Sequence, residues 1–76
     1  MVEQRVRQTI ADVLGLPVEE ITAASSRKNT AEWDSFKHVE VIMAIESEFN
    51  ARFSVEEIEA FKSCGDILKA VAARAG

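Results

Sequence analysis

The chain has one cysteine, Cys64, and one histidine, His38. In 76 residues, that removes the usual staples of a small domain. No internal disulfide can form, and no zinc cluster can be assembled. A domain this small must then hold itself together by regular packing of apolar side chains. Three glycines, one proline and 47% hydrophobic residues suit packed helices and argue against a disordered tail.

The apolar spacing predicts where the helices lie. Val2, Val6, Ile10, Val13 and Leu14 recur at three- and four-residue steps, and Gly15 is a natural stop. Residues 16–34 then read as a long loop, with Pro17 and the polar run "TAASSRKNT". Loops of this length are uncommon in compact domains and are often functional. Leu16 and Ile21 are expected to pin it to the core, with one short turn at "VEEI".

A second helix is predicted from Ser35 to Phe49. At about 100° per residue its apolar side chains cover an arc of roughly 220°, well beyond the ~100° stripe of an ordinary surface helix. Val41, Ile42, Ile45 and Phe49 form one stripe, and Phe36, Val39 and Met43 form a second. One stripe can face the core. The other is either buried by a surrounding bundle or left as a face for a partner.

Ser54 and Glu57 make a capping-box pattern, and Phe53 with Ile58 fits a hydrophobic staple. This third helix is short, because "KSCGD" interrupts it after Phe61. Ser63 and Asp66 mark a last helix carried by Ile67, Leu68 and Val71 to about Arg74. The expected fold is all-α: a four-helix bundle of three longer helices and one short one, with a long loop between the first two. It forms a single domain over residues 1–76.

The formal net charge of −4 disfavours nucleic acid and anionic membrane surfaces. No segment approaches the roughly 20 apolar residues of a membrane span. A free cysteine with no export signal points to the cytosol.

The stretch "TAEWDSFKHVEV", residues 30–41, carries the chemistry. Ser35 stands where the loop ends and the apolar helix begins. As a hydrolytic nucleophile it is poorly served. Asp34 is beside the serine rather than beyond His38, and nothing supplies an oxyanion hole. Asp34 or Ser35 is expected to cap the helix. Capping leaves Lys37 and His38 unexplained, since positive charge in a first turn opposes the helix dipole. A negative group attached at Ser35 would reverse that penalty, because a helix N-terminus with nearby basic groups favours phosphate.

"WDSF" followed by "VEVIMAIESEF" resembles the Asp-Ser-Leu motif and acidic helix of the acyl carrier protein family. The likeness extends through "F-x-x-x-F-S-V-E-E-I" and covers nearly the whole chain in length, acidity and helix order. The resemblance implies that Ser35 receives a 4'-phosphopantetheine from coenzyme A, with Asp34 before it and Phe36 in the leucine place. It implies a carrier rather than an enzyme, serving fatty-acid, polyketide or specialised lipid synthesis. Its partners would be a phosphopantetheinyl transferase and acyl-transferring, ligating or condensing enzymes. They would meet it on the second helix, at Lys37, Val39, Glu40, Met43 and Glu46. A free-standing cytoplasmic monomer is expected.

Phe36 in place of leucine, and the basic Lys37 and His38, depart from fatty-acid carriers and favour a specialised one, including an aminoacyl or peptidyl carrier. A small helical adaptor without prosthetic group is the rival reading. Trp33 is expected to lie against the bundle, Cys64 to be a small buried hydrophobe, and "SSRK" to be solvated loop.

Overall fold

The structure is a computed structural model that describes residues 2–75. Helix α1, Val2–Leu14, ends at Gly15, whose φ of 72° is left-handed. The Leu16 amide donates back to the Ala11 carbonyl at 3.0 Å, completing a Schellman turn. Helix α2, Ser35–Phe49, ends the same way, with Asn50 at φ 52° and the Ala51 amide on the Glu46 carbonyl at 3.0 Å. Helices α3, Val55–Ala60, and α4, Cys64–Ala75, follow. The expected all-helical order therefore holds, with α3 as the short member. Met1 and Gly76, part of the expected domain, lie outside the described residues.

The core forms where α1 packs on α2 and α4. Val6 and Ile10 of α1, Val41, Ile42 and Ile45 of α2, and Cys64, Ile67 and Val71 of α4 are all essentially buried. Arg5 pairs with Glu48 across the α1–α2 edge at 2.6 Å and lies over the Phe49 ring. The capping box of α3 is complete: the Ser54 hydroxyl accepts from the Glu57 amide, and the Glu57 carboxylate accepts from the Ser54 amide. That amide, with the Arg74 guanidinium at 2.6 Å, holds Glu57 below the usual carboxylate pKa.

The long loop is folded rather than slack. It makes one 3-10 turn, Val18–Glu20, and buries Ile21 and Trp33. Arg7 of α1 donates from Nε to the Ile21 carbonyl at 2.7 Å and from Nη2 to the Val18 carbonyl at 3.2 Å. The Asn29 side chain closes the next bend on the Ser26 amide and the Ala24 carbonyl.

The loop also caps α4. The Cys64 amide donates to the Ser25 carbonyl at 2.8 Å and the Gly65 amide to the Ala23 carbonyl at 3.0 Å. Those are two of the amides that a helix start leaves without partners. A Cβ on Gly65 would stand 3.2 Å from the Ala23 oxygen, so glycine admits the close approach.

The reading of "SSRK" as solvated needs correction at Ser25, which is only 7% exposed. Its hydroxyl accepts from the Thr22 amide at 2.9 Å, so the buried polar atom is satisfied locally.

His38 ties three elements together. It is 4% exposed, with both ring nitrogens engaged. The Trp33 indole N–H donates to Nδ1 at 3.1 Å. An indole can only donate, so Nδ1 carries no proton and Nε2 does. Nε2–H then donates to the Ile58 carbonyl at 2.9 Å. One neutral imidazole thus links the end of the loop, the first turn of α2 and α3. Burial holds its pKa below the ordinary histidine value, and the charges of Arg27 and Lys62 act in the same direction.

The unfolded chain therefore takes up a proton at His38 before the folded chain does. Stability falls as pH drops through the unfolded histidine pKa of about 6.5. Denaturant unfolding between about pH 7.5 and 5.5 should show the wild type losing stability relative to His38→Gln, which cannot titrate there. Parallel curves would mean that His38 is not buried as the neutral base.

Candidate functional site

Asp34 is the N-cap of α2. Its backbone is extended, its carboxylate accepts from the Lys37 amide at 2.8 Å, and its carbonyl accepts from the His38 amide at 2.9 Å. Ser35 is consequently the first helical residue. It is exposed, and no hydrogen bond engages its hydroxyl among the described residues. Trp33 is 1% exposed on the other side of Asp34, so the junction is anchored from beneath while Ser35 stays outside.

The basic residues beside Ser35 divide. His38 turns inward, which overturns its expected part in answering a charge at Ser35. Both nitrogens are spent on Trp33 and Ile58. The same geometry removes it as a base for Ser35. Lys37 stays at the surface and pairs with Glu40 one turn on at 3.2 Å. That pairing offsets part of the dipole penalty of a cation in the first turn.

Two cations not foreseen at the site come from the loop. Arg27 and Lys28 line a shallow depression together with Trp33, Asp34 and Ser35. Sequence spacing conceals them, because the loop fold that brings residues 27–28 back to residue 35 rests on backbone and Asn29 hydrogen bonds. Two adjacent cations in a loop leading to the motif are the only hint in the sequence.

The second apolar stripe of α2 is on the surface. Phe36 is 71%, Val39 53% and Met43 63% exposed. The alternative, that the bundle buries both stripes, is thereby overturned. Val55, in the first turn of α3, is 68% exposed and is a surface apolar residue that helix periodicity did not single out. Glu40 sits on the same helix but is shared with Lys37. Glu46 is half-buried and accepts from the Phe53 amide at 2.9 Å, so one of its oxygens holds the α2–α3 connection.

Other reactive side chains are out of play. Cys64 is buried and its thiol is pushed up to about 11 by that burial, so it is not a thiolate nucleophile near neutral pH. Among the described residues no cluster of His, Cys, Asp or Glu is placed to hold a metal ion. No helix among them is long and apolar enough to cross a membrane.

The exposed, unbonded Ser35 hydroxyl, at a helix start beside two cations, fits covalent attachment of a phosphate-bearing group. Comparison with known proteins agrees. Residues 4–71 match the family described as "Phosphopantetheine attachment site". The chain is also similar to the acyl carrier protein of Clostridium acetobutylicum, with 40% identity over 73 residues, 96% of this chain and 95% of that protein. A carrier-type bundle, an exposed motif serine and these two likenesses together establish that the chain belongs to the acyl carrier protein family, whose cofactor is 4'-phosphopantetheine.

Proposed function

We propose that Ser35 is the attachment point and that the chain is a carrier of acyl intermediates. The observation that carries this reading is the state of Ser35. It is held at the first position of α2 by the Asp34 cap, yet its own hydroxyl is exposed and unengaged. Attachment makes the Ser35 oxygen part of a phosphodiester, with loss of the hydroxyl proton and departure of the nucleotide half of coenzyme A. The thiol at the far end of the arm supplies the thioester chemistry.

The chain's own residues supply position and charge. Asp34 and the buried Trp33 fix where Ser35 stands. Arg27 and Lys28 border the site and offset the phosphodiester charge. The first two amides of α2, Ser35 and Phe36, lie at the positive end of the helix dipole, which favours an anion there.

Phe36, Val39 and Met43 form the apolar face for partners. Lys37, Glu40 and Glu46 give that face its polar margin, although Glu46 offers only the oxygen not committed to Phe53. The partners are a phosphopantetheinyl transferase and enzymes that transfer, ligate or condense acyl groups, in the cytosol, acting on a monomeric carrier. The cations around Ser35 favour a specialised pathway over the general fatty-acid one. The family's usual partners present basic surfaces, and those meet Arg27, Lys28 and Lys37 unfavourably.

Ser35→Ala should leave stability within about 0.5 kcal/mol of wild type, as for other exposed side chains without partners. It should abolish the gain in intact mass on incubation with coenzyme A and a phosphopantetheinyl transferase. Peptide mapping that found the arm on Ser25, Ser26 or Ser47 would overturn the assignment.

Met43→Ala should likewise change stability by under about 0.5 kcal/mol. It should lower the transferase kcat/KM by about fivefold or more, the 1 kcal/mol expected of an apolar interface contact that matters. A large drop in melting temperature with an unchanged kcat/KM would make Met43 a packing residue instead.

A further inference from the structure

A second groove adjoins the attachment site. It has a volume of about 510 Å³ and is lined by Ala24, Ser26, Arg27, Lys28, Lys62 and Ser63. Arg27 and Lys28 line this groove and the depression at Ser35 alike, so the two share a wall. Its walls are well fixed. Ser26 bridges to Ser63, the Cys64 amide holds the Ser25 carbonyl at 2.8 Å, and Asn29 closes the bend behind.

The charge of the groove runs against that of the chain. The net charge is −4, yet three cations converge here. Among the described residues the ion pairs are Arg5–Glu48, Lys37–Glu40 and Arg74–Glu57, and none of them uses Arg27, Lys28 or Lys62. Two acids lie nearby: Asp34, which shares the Ser35 depression with Arg27 and Lys28 and accepts from the Lys37 amide through Oδ1 at 2.8 Å, and Asp66, whose Oδ2 is turned to the amides of Lys62 and Ser63 at 2.9 and 3.3 Å.

Taking Ser35 as the attachment point, we propose that this groove receives the anionic end of the carrier's own cargo: an acyl group bearing a carboxylate, held by Lys62 with Arg27 and Lys28. Concavity, and a wall of Arg27 and Lys28 shared with the Ser35 depression, favour a tethered occupant over an acidic protein surface. Tethering supplies a millimolar-range effective concentration, so weak charge contacts suffice to fill the groove.

The test uses the full chain, loaded from succinyl- or butyryl-coenzyme A by a transferase that accepts acyl thioesters. These cargoes share their chain length and differ by a carboxylate in place of a methyl. Intact mass first verifies loading. Amide NMR shifts are then compared. Succinyl loading should move the Ala24, Ser26, Lys62 and Ser63 resonances well beyond what butyryl loading does. The excess should vanish in Lys62→Gln. It should also shrink severalfold in about 1 M salt, where the Debye length is about 3 Å.

Equal shifts with both cargoes, or none at these residues in verified loaded protein, would overturn the proposal and leave the Ser35 assignment standing. An acidic peptide that moves the same amides in unloaded protein, while succinyl loading does not, would make the groove a protein-docking surface and would also overturn it. Failure of both thioesters to add mass would instead sink the Ser35 assignment, and the groove's role with it.

Discussion

The hydrogen bonds of one neutral histidine hold together the junction of the loop, α2 and α3. Trp33 donates to His38, and His38 donates to the Ile58 carbonyl, so loop, α2 and α3 meet at a single buried ring. A buried polar group is costly unless each of its polar atoms is paired. Here both nitrogens are. The consequence is directional: Trp33 and His38 point in, and Asp34 and Ser35, between them in sequence, are left at the surface. The exposed serine is thus a product of buried bonding on either side of it.

Around that point the surface is divided by chemistry. Along α2 runs an apolar stripe, Phe36, Val39 and Met43, that no part of the described chain covers. On the loop side stand Arg27 and Lys28, with Lys62 beyond. Most of the remaining charge is acidic, consistent with the net −4. A carrier must be recognised by several enzymes while its serine stays reachable. On the reading proposed above, separate apolar and basic flanks would let recognition and charge compensation act without competing for the same side chains.

Much of the fold was legible because its signals are local. Gly15 stops α1, Ser54 and Glu57 box the start of α3, and Ser63 and Asp66 exchange bonds at the start of α4, all as their spacing predicts. The apolar arc of α2 was legible as too wide for one core face, but its width left open whether the second stripe is buried or exposed; the packing of α1 on the first stripe alone leaves it exposed. What escaped was everything set by the loop's return path. Ser25 is buried, and Arg27 and Lys28 swing to Ser35, because backbone bonds between residues far apart in sequence decide those positions. His38 escaped for a related reason. As a first-turn basic residue it reads as exposed charge, and only the Trp33 and Ile58 partners convert it to a neutral core group.

The imidazole itself offers the most direct test of this arrangement. Long-range ¹H–¹⁵N correlation spectra of His38 at neutral pH should show a neutral ring protonated at Nε2, in the unloaded and the loaded protein alike. An Nδ1-protonated tautomer or a charged imidazolium would contradict it, because neither can accept the Trp33 N–H while donating to the Ile58 carbonyl, and the platform beneath Ser35 would have to be built some other way.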